Sequence, residues 1–243
     1  MRPIVRFFVW NDMHLRAPNV ANRPQGYPFS NEKAKFAVEC ANGLHGFEPP
    51  DFVLSLGDII DGEIPDYNQD FRFFKEFILD RLSVPFLPCV GNHENGQGEG
   101  IPERNIAYDR WFGKEWHNYA FVVGGVAFIV VDTSGAHRLG DEVTERRNSF
   151  VERAFERLKD MPIIVATHVP LIAMRDEEVL KASFGFESWK VRDERMLKIV
   201  EKHSERVIAV LSGHLHLTGV KWQKGIAHIV PSGTCGYPAD FAS

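Results

Sequence analysis

Five short stretches of the chain share one pattern: an apolar run ends, and within a few residues come aspartate, asparagine or histidine. They are NDMH, with Asp12 and His14; GDIID, with Asp58 and Asp61; GNHE, with Asn92, His93 and Glu94; THVP, with His168; and GHLH, with His214 and His216. Taken singly, each has a plain structural use, because an aspartate at a strand end commonly caps a turn and a single histidine commonly settles into a hydrogen bond. Taken together they hold five of the ten histidines, in four of the five turns, which capping does not require. Carboxylates at the end of a core strand are costly unless something cationic meets them. Neutral imidazole and carboxylate are ligands for divalent transition metals, and one aspartate can bridge two ions with its two oxygens. Residues i and i+2 leaving a strand point the same way, so Asp12 with His14, and His214 with His216, each offer a pair of side chains to one centre. Asp58 is the natural bridge. Gly57, Gly91 and Gly213 stand just before the polar residue, where the backbone must bend sharply or approach closely.

The elements that must position these turns follow from periodicity. Residues 4–10, 51–56 and 84–90 read as buried strands, separated by helical patterns near 32–44 and 71–82. That order implies parallel strands joined by crossover helices. The second half opens with strands 119–123 and 126–131 around Gly124-Gly125, a two-residue hairpin signal. It continues as a helix near 145–158, a strand 163–167, a helix near 193–203, a strand 207–211 and a final pair around 219–222 and 227–230. Two sheets packed face to face, with helices outside, account for this sequence of elements. In such sheets the loops at the carboxyl edge of the strands are where ligands bind. The long polar segments 16–31, 94–105 and 134–144 suit rims or lids. The FRFFKEF run at 71–77 has helical spacing and is assigned to core packing.

Composition narrows the setting. The length of 243 residues suits one α/β domain spanning 1–243. With 28 Lys plus Arg against 33 Asp plus Glu, the net charge of -5 supplies no electrostatic reason for a nucleic-acid or anionic-membrane partner. The three cysteines, Cys40, Cys89 and Cys235, lack CxxC spacing and read as buried free thiols in a reducing compartment. The apolar run 4–10 is too short for a membrane span or a signal h-region, so a cytoplasmic location is expected. GDIIDG begins like a phosphate-binding P-loop, but Glu63 stands where the lysine is required.

The set D-x-H, G-D-x-x-D, G-N-H-E, a single histidine before proline, and G-H-x-H resembles the calcineurin-like metallophosphoesterases, from Asp12 to His216. The resemblance implies a four-layer αββα sandwich, two mixed sheets packed face to face with helices outside, in agreement with the strand order above. It implies two divalent or trivalent transition-metal ions (Mn, Fe or Zn), one on Asp12, His14, Asp58 and His216 and the other on Asp58, Asn92, His168 and His214. His93 would face the substrate and Asp61 would hydrogen-bond it. The implied reaction is hydrolysis of a small phosphodiester or phosphomonoester by a hydroxide shared between the ions. A small phosphoester is then the expected partner, with no nucleic acid and no membrane; a homo-oligomer is compatible. Purple acid phosphatases carry a tyrosine where this chain has Asp61, and protein serine/threonine phosphatases follow that aspartate with Arg-Gly where this chain has Gly62. The chain therefore looks more like the bacterial-type phosphodiesterase and small-phosphatase branch. A catalytically silent scaffold would tend to lose ligands or the GNHE histidine, and a nuclease would add a basic surface; neither feature occurs. Asn95, His117, His137, Arg138 and Arg175 are polar or cationic groups in segments that could reach the metal edge, but each taken singly reads as ordinary solvated surface and none is assigned to the site.

Overall fold

A computed structural model describes residues 5–20, 29–62, 67–94, 102–184 and 189–233. The elements run β1 (Phe7–Trp10), α1 (Ser30–Ala41), β2 (Phe52–Ser55), α2 (Tyr67–Phe77), β3 (Phe86–Leu87), α3 (Pro102–Trp111), β4 (Asn118–Val123), β5 (Val126–Val131) and α4 (Glu142–Arg157). After these come β6 (Ile163–Thr167), α5 (Glu177–Phe184), α6 (Glu194–Lys202), β7 (Val207–Leu211), β8 (Gly219–Gln223) and β9 (Ile226–Val230). Two sheets result, of three strands in order β1-β2-β3 and six in order β4-β5-β6-β7-β9-β8. Both described pairs of the small sheet are parallel. The mixture expected of both sheets is therefore carried by the large one, where β4 and β8 run antiparallel to their neighbours and β5, β6, β7 and β9 run parallel.

Alternation of side chains sorts each strand between two apolar layers. Phe52, Leu54 and Leu56 from the small sheet meet Phe128, Val130, Ile164, Ala166 and Leu211 from the large one, forming the layer between the sheets. Val53 and Trp10 turn the other way, against Ala37 and Val38 of α1 and Phe71 and Phe74 of α2. On the far side Ile129, Val165 and Val210 pack on Val151 and Phe155 of α4 and Met196 and Val200 of α6. This is the four-layer sandwich that the strand order implied. The FRFFKEF run behaves as core: Phe71 and Phe74 are buried, and Phe73 stacks on Phe77 with ring centroids 4.8 Å apart.

The β4–β5 hairpin turns on Gly124 and Gly125, at φ of 57° and 79°. Two successive positive φ values are what a type I′ turn needs, and glycine reaches them without a steric penalty. Helices α4 and α6 begin on aspartate caps, Asp141 accepting from the Thr144 N–H and Asp193 from the Arg195 N–H. Two helices were not anticipated. The segment 94–105, expected as loop, ends in α3, whose polar sequence hides its period although Pro102 sits at the favoured first position. α5 was unassigned, although Asp176 accepts from the Glu178 N–H at its start.

Phe128 sits at the centre of the layer between the sheets, stacked on Phe121 and edge-on to Phe7 and Phe52. Phe128→Ala should cost roughly 3–5 kcal/mol in urea unfolding, whereas Val220→Ala, at an exposed position of edge strand β8, should stay within about 0.5 kcal/mol.

Candidate metal centre

The parallel strands bring all five polar turns to one edge of the sandwich. Asp12 and His14 follow β1, Asp58 and Asp61 follow β2, Asn92 and His93 follow β3, His168 follows β6, and His214 and His216 follow β7. The turns remain tied to one another beyond the strands. Asp12 N–H donates to the Gly57 carbonyl at 3.0 Å, His14 N–H to that of Asp58 at 2.9 Å, and Gly213 N–H to that of His168 at 2.9 Å.

Two groups of ligand-type atoms converge there, each within 4.8 Å of one another: Asp12, His14, Asp58 and His216, and Asp58, His168 and His214; a third set, His14, Asp61 and His93, meets the same limit beside them. Asn92 closes the second group, its Oδ1 2.8 Å from His168 Nε2 and 2.9 Å from His214 Nδ1. The Nε2 atoms of His14 and His216 face each other at 2.9 Å, and His168 Nε2 lies 3.3 Å from Asp58 Oδ1. Asp58 belongs to both groups, the place expected of a bridge. His168 donates Nδ1–H to the Leu56 carbonyl at 2.8 Å, which leaves Nε2 directed at the cluster. That backbone anchor fixes tautomer and ring orientation in the way typical of metal-ligating histidines.

The route to this convergence differs from the expected one. Asp12, His14, Asp58, His214 and His216 all have positive φ, between 46° and 71°. They are not extended residues sharing one face of a strand; each is a left-handed kink, and the residues between them, Met13 and Leu215, drive into the core. The left-handed region costs on the order of 1–2 kcal/mol for a residue with a Cβ, least for Asn, Asp and His. Strain repeated at one cluster makes it a candidate functional site.

Electrostatics are set by burial. Burial pushes His14 well below its ordinary pKa, with the charge of His93 adding to the effect. Burial and then His168 take His214 down to about 4. Burial opposes protonation of His168 too, but the Asp58 carboxylate outweighs it and lifts His168 to about 9. The Asp58 carboxyl is held well below its usual range by His168 and His93, against the opposing effect of burial. A metal cation binds neutral imidazole and ionised carboxylate; His14, His214 and Asp58 are biased that way, whereas His168 would have to release its proton.

His93 and Asp61 meet differently from expectation. His93 Nδ1–H donates to the backbone carbonyl of Asp61, while the Asp61 carboxylate turns to Arg16, Oδ2 lying 3.1 Å from Nε. His93 is nevertheless raised: burial opposes this, and Asp58 first, then the Asp61 carbonyl, overcome it. His93 Nε2 stands 4.0 Å from Asp58 Oδ2. Of the loop residues expected at the rim, Arg138 is engaged by Asp141 at 2.6 Å, and Asn95 lies outside the described residues.

Glu94 had no assigned role, and the structure supplies one. Its buried carboxylate accepts from the N–H groups of Asp58 at 2.9 Å, Ile60 at 3.0 Å and Gly91 at 2.8 Å, pinning the β2 and β3 turns together. Burial and the nearby Asp58 lift its pKa to about 7. The two turns pass so closely that a Cβ on Gly91 would lie 2.1 Å from Asp58 N and 2.2 Å from Asp58 Oδ1.

A profile of the family described as calcineurin-like phosphoesterase matches residues 5–217. The chain belongs to the calcineurin-like phosphoesterase family. Among curated relatives, a probable cyclic nucleotide phosphodiesterase of Rhodococcus erythropolis is 24% identical over 192 residues, covering 76% of this chain and 58% of that protein. A cAMP/cGMP dual specificity phosphodiesterase of Mycobacterium tuberculosis is 25% identical over 187 residues, covering 76% of this chain and 55% of that protein. The chain thus spans little more than half the length of these two relatives. In fold it is similar to a dimetal phosphatase from Danio rerio, at a TM-score of 0.68 and 17% identity, with 98% of this chain and 90% of that one covered. It is also similar to a purple acid phosphatase from yellow lupin seeds, at 0.69 and 19%, with 98% and 45% covered. No helix among the described residues is long and apolar enough to cross a membrane.

Gly91→Ala should leave the circular dichroism spectrum intact but displace Asp58. Manganese affinity, read by equilibrium dialysis, should fall about 10–100-fold, the scale of lost support around a metal ligand.

Proposed function

We propose that the chain hydrolyses a small phosphoester at two divalent or trivalent transition-metal ions (Mn, Fe or Zn). Asp12, His14, Asp58 and His216 would hold one, and Asp58, Asn92, His168 and His214 the other. The observation that carries this reading is the buried cluster itself: two overlapping groups of nitrogen and oxygen atoms share Asp58, with His168 anchored from behind on the Leu56 carbonyl. Buried carboxylates and imidazoles packed this tightly need a cation to offset their desolvation, and a set of His, Asp and Asn without sulfur suits these metals. When bound, such a pair of ions polarises phosphoryl oxygens and makes water a competent nucleophile at neutral pH.

The chain's own residues supply the rest. His93 gives Nδ1–H to the Asp61 carbonyl, so that Nε2–H is the proton it offers to the leaving oxygen as general acid. Burial disfavours the protonated ring of His93, and the Asp58 carboxylate with the Asp61 carbonyl outweighs it, so the surroundings favour holding that proton. Asp61 acts on His93 through its backbone carbonyl and, more weakly, through the charge of its carboxylate, which also pairs with Arg16. Glu94 fixes the distance between the turns carrying Asp58 and Asn92. The two relatives described as phosphodiesterases make a cyclic nucleotide the first substrate to try, with a phosphomonoester as the alternative. The buried free thiols of Cys40 and Cys89 support a reducing compartment such as the cytoplasm.

Three measurements test the reading. Chelation should abolish turnover of bis(4-nitrophenyl) phosphate and manganese should restore it; a metal-loaded protein inert toward monoesters, diesters and cyclic nucleotides alike would favour a silent scaffold. His93→Ala should keep its metals by elemental analysis and lose roughly 10²-fold in turnover; metal loss would make His93 a ligand. Asp58→Asn should lose metal from both positions together, and full occupancy in that variant would contradict the bridge.

A further inference from the structure

A polar cavity of about 370 Å³ is lined by Asp109, Lys114, His117, Asn118, Asp132, Arg146 and Arg147. Its place in the fold is set by β5. Val131, the last residue of that strand, is register-paired with Thr167, so Asp132 stands beside His168 on the adjacent strand end. Thr133 locks the two turns together, its Oγ1 donating to the Val169 carbonyl at 3.2 Å and accepting from the Val169 N–H at 2.8 Å.

The two carboxylates of the cavity are already matched. His117 donates to both, Nδ1 to Asp132 Oδ2 at 2.9 Å and Nε2 to Asp109 Oδ1 at 2.7 Å, an arrangement that requires the doubly protonated ring. These hydrogen bonds and charges raise the pKa of His117 against the opposing effect of burial. Asp132 Oδ1 accepts from the Ser134 N–H at 3.0 Å and hydroxyl at 2.7 Å.

The donors are not matched. Arg147 is 5% exposed; its Nε and Nη2 bond Asn148 and Asp193, and Nη1 bonds nothing among the described residues. Lys114 has no hydrogen-bond or ion-pair partner among them, and the contact of Arg146 with Glu142, at 3.6 Å, is a loose surface pair. Asn118 Oδ1 accepts from the Asp132 N–H at 3.1 Å, leaving its amide N–H₂ to face a ligand. The cavity therefore presents three guanidinium or ammonium groups and an amide, with acceptor capacity left mainly on Asp109. Such a donor excess fits a polyoxyanion, and the volume lies in the range of small-ligand sites.

We infer that this cavity is an oxyanion subsite that receives a phosphate-class group, and that in catalysis the group is a second phosphate on the substrate, beyond the ester being cleaved. The substrate half of this inference rests on the phosphoesterase reading; the binding half does not.

Equilibrium dialysis of the metal-loaded protein with labelled inorganic phosphate tests the binding half. Lys114→Ala/Arg146→Ala removes two exposed side chains, and should lower the number of phosphates bound per chain by one, or weaken one site about tenfold or more, the scale of lost charge-assisted hydrogen bonds. An unchanged phosphate isotherm overturns the subsite. For the substrate half, kcat and KM are compared for bis(4-nitrophenyl) phosphate and a 4-nitrophenyl diester whose other arm ends in phosphate. The parent should show about tenfold lower KM for the second, and the double variant should close that gap with kcat moving less. Phosphate binding without any KM gap overturns the substrate role and assigns the cavity to free phosphate, while equal loss on both esters overturns the subsite. Hydrolysis of neither ester overturns the substrate half for diesters, the phosphoesterase reading falling only if monoesters and cyclic nucleotides are inert as well, and leaves the phosphate count as the judge of the cavity.

Discussion

The site depends on one close approach. The turns after β2 and β3 pass within van der Waals range at Gly57 and Gly91, where a Cβ on Gly57 would fall 2.8 Å from the Gly91 backbone. Only there can Asp58 reach between two groups of ligands that arrive from opposite sheets. Asp12 and His14 come from the small sheet, His168, His214 and His216 from the large one, and Asp58 is where they meet. The layer between the sheets sets how far apart those edges lie. A change of packing at Phe128 or Leu54 is thus felt at the cluster, because close-packed interiors transmit strain.

The cluster is costly without a cation. Several acids and imidazoles are buried side by side, and their pKa values spread apart, His214 falling to about 4 and His168 rising to about 9. Protonation of His168 and His93 and ionisation of Asp58 favour one another. Glu94 resolves a different conflict, satisfying three backbone N–H groups that the crossing turns leave without partners in a sheet. A charged or polar group placed for architecture therefore sits directly behind those placed for chemistry.

Much of this was legible in the sequence, for identifiable reasons. Strands 163–167 and 207–211 are legible to the residue because each is a short apolar run, buried throughout in the first and everywhere but Ile208 in the second, bounded by polar turns. The Gly-Gly hairpin declared itself through chemistry that only one turn type uses. The site residues were legible because each follows a strand end, which fixes where it lies before its conformation is known. What the chain did not disclose was local. Extended geometry was assumed at Asp12, His14, His214 and His216, while the backbone there is left-handed. Glu94 and Arg16 gained their roles only from who stands beside them, and α3 was obscured by a polar sequence of weak period.

The left-handed kinks limit what evolution or a designer can do here. Asp, Asn, His and Gly tolerate that backbone region, while β-branched side chains do not. Five positions of the cluster carry this restriction at once. Ligand exchange at them is confined to an alphabet of about four letters, three of which bind metals through oxygen or nitrogen. Conversion toward a thiolate-rich or purely apolar centre would have to re-thread the loops first, so the backbone conserves the hardness of the site independently of any selection on its chemistry.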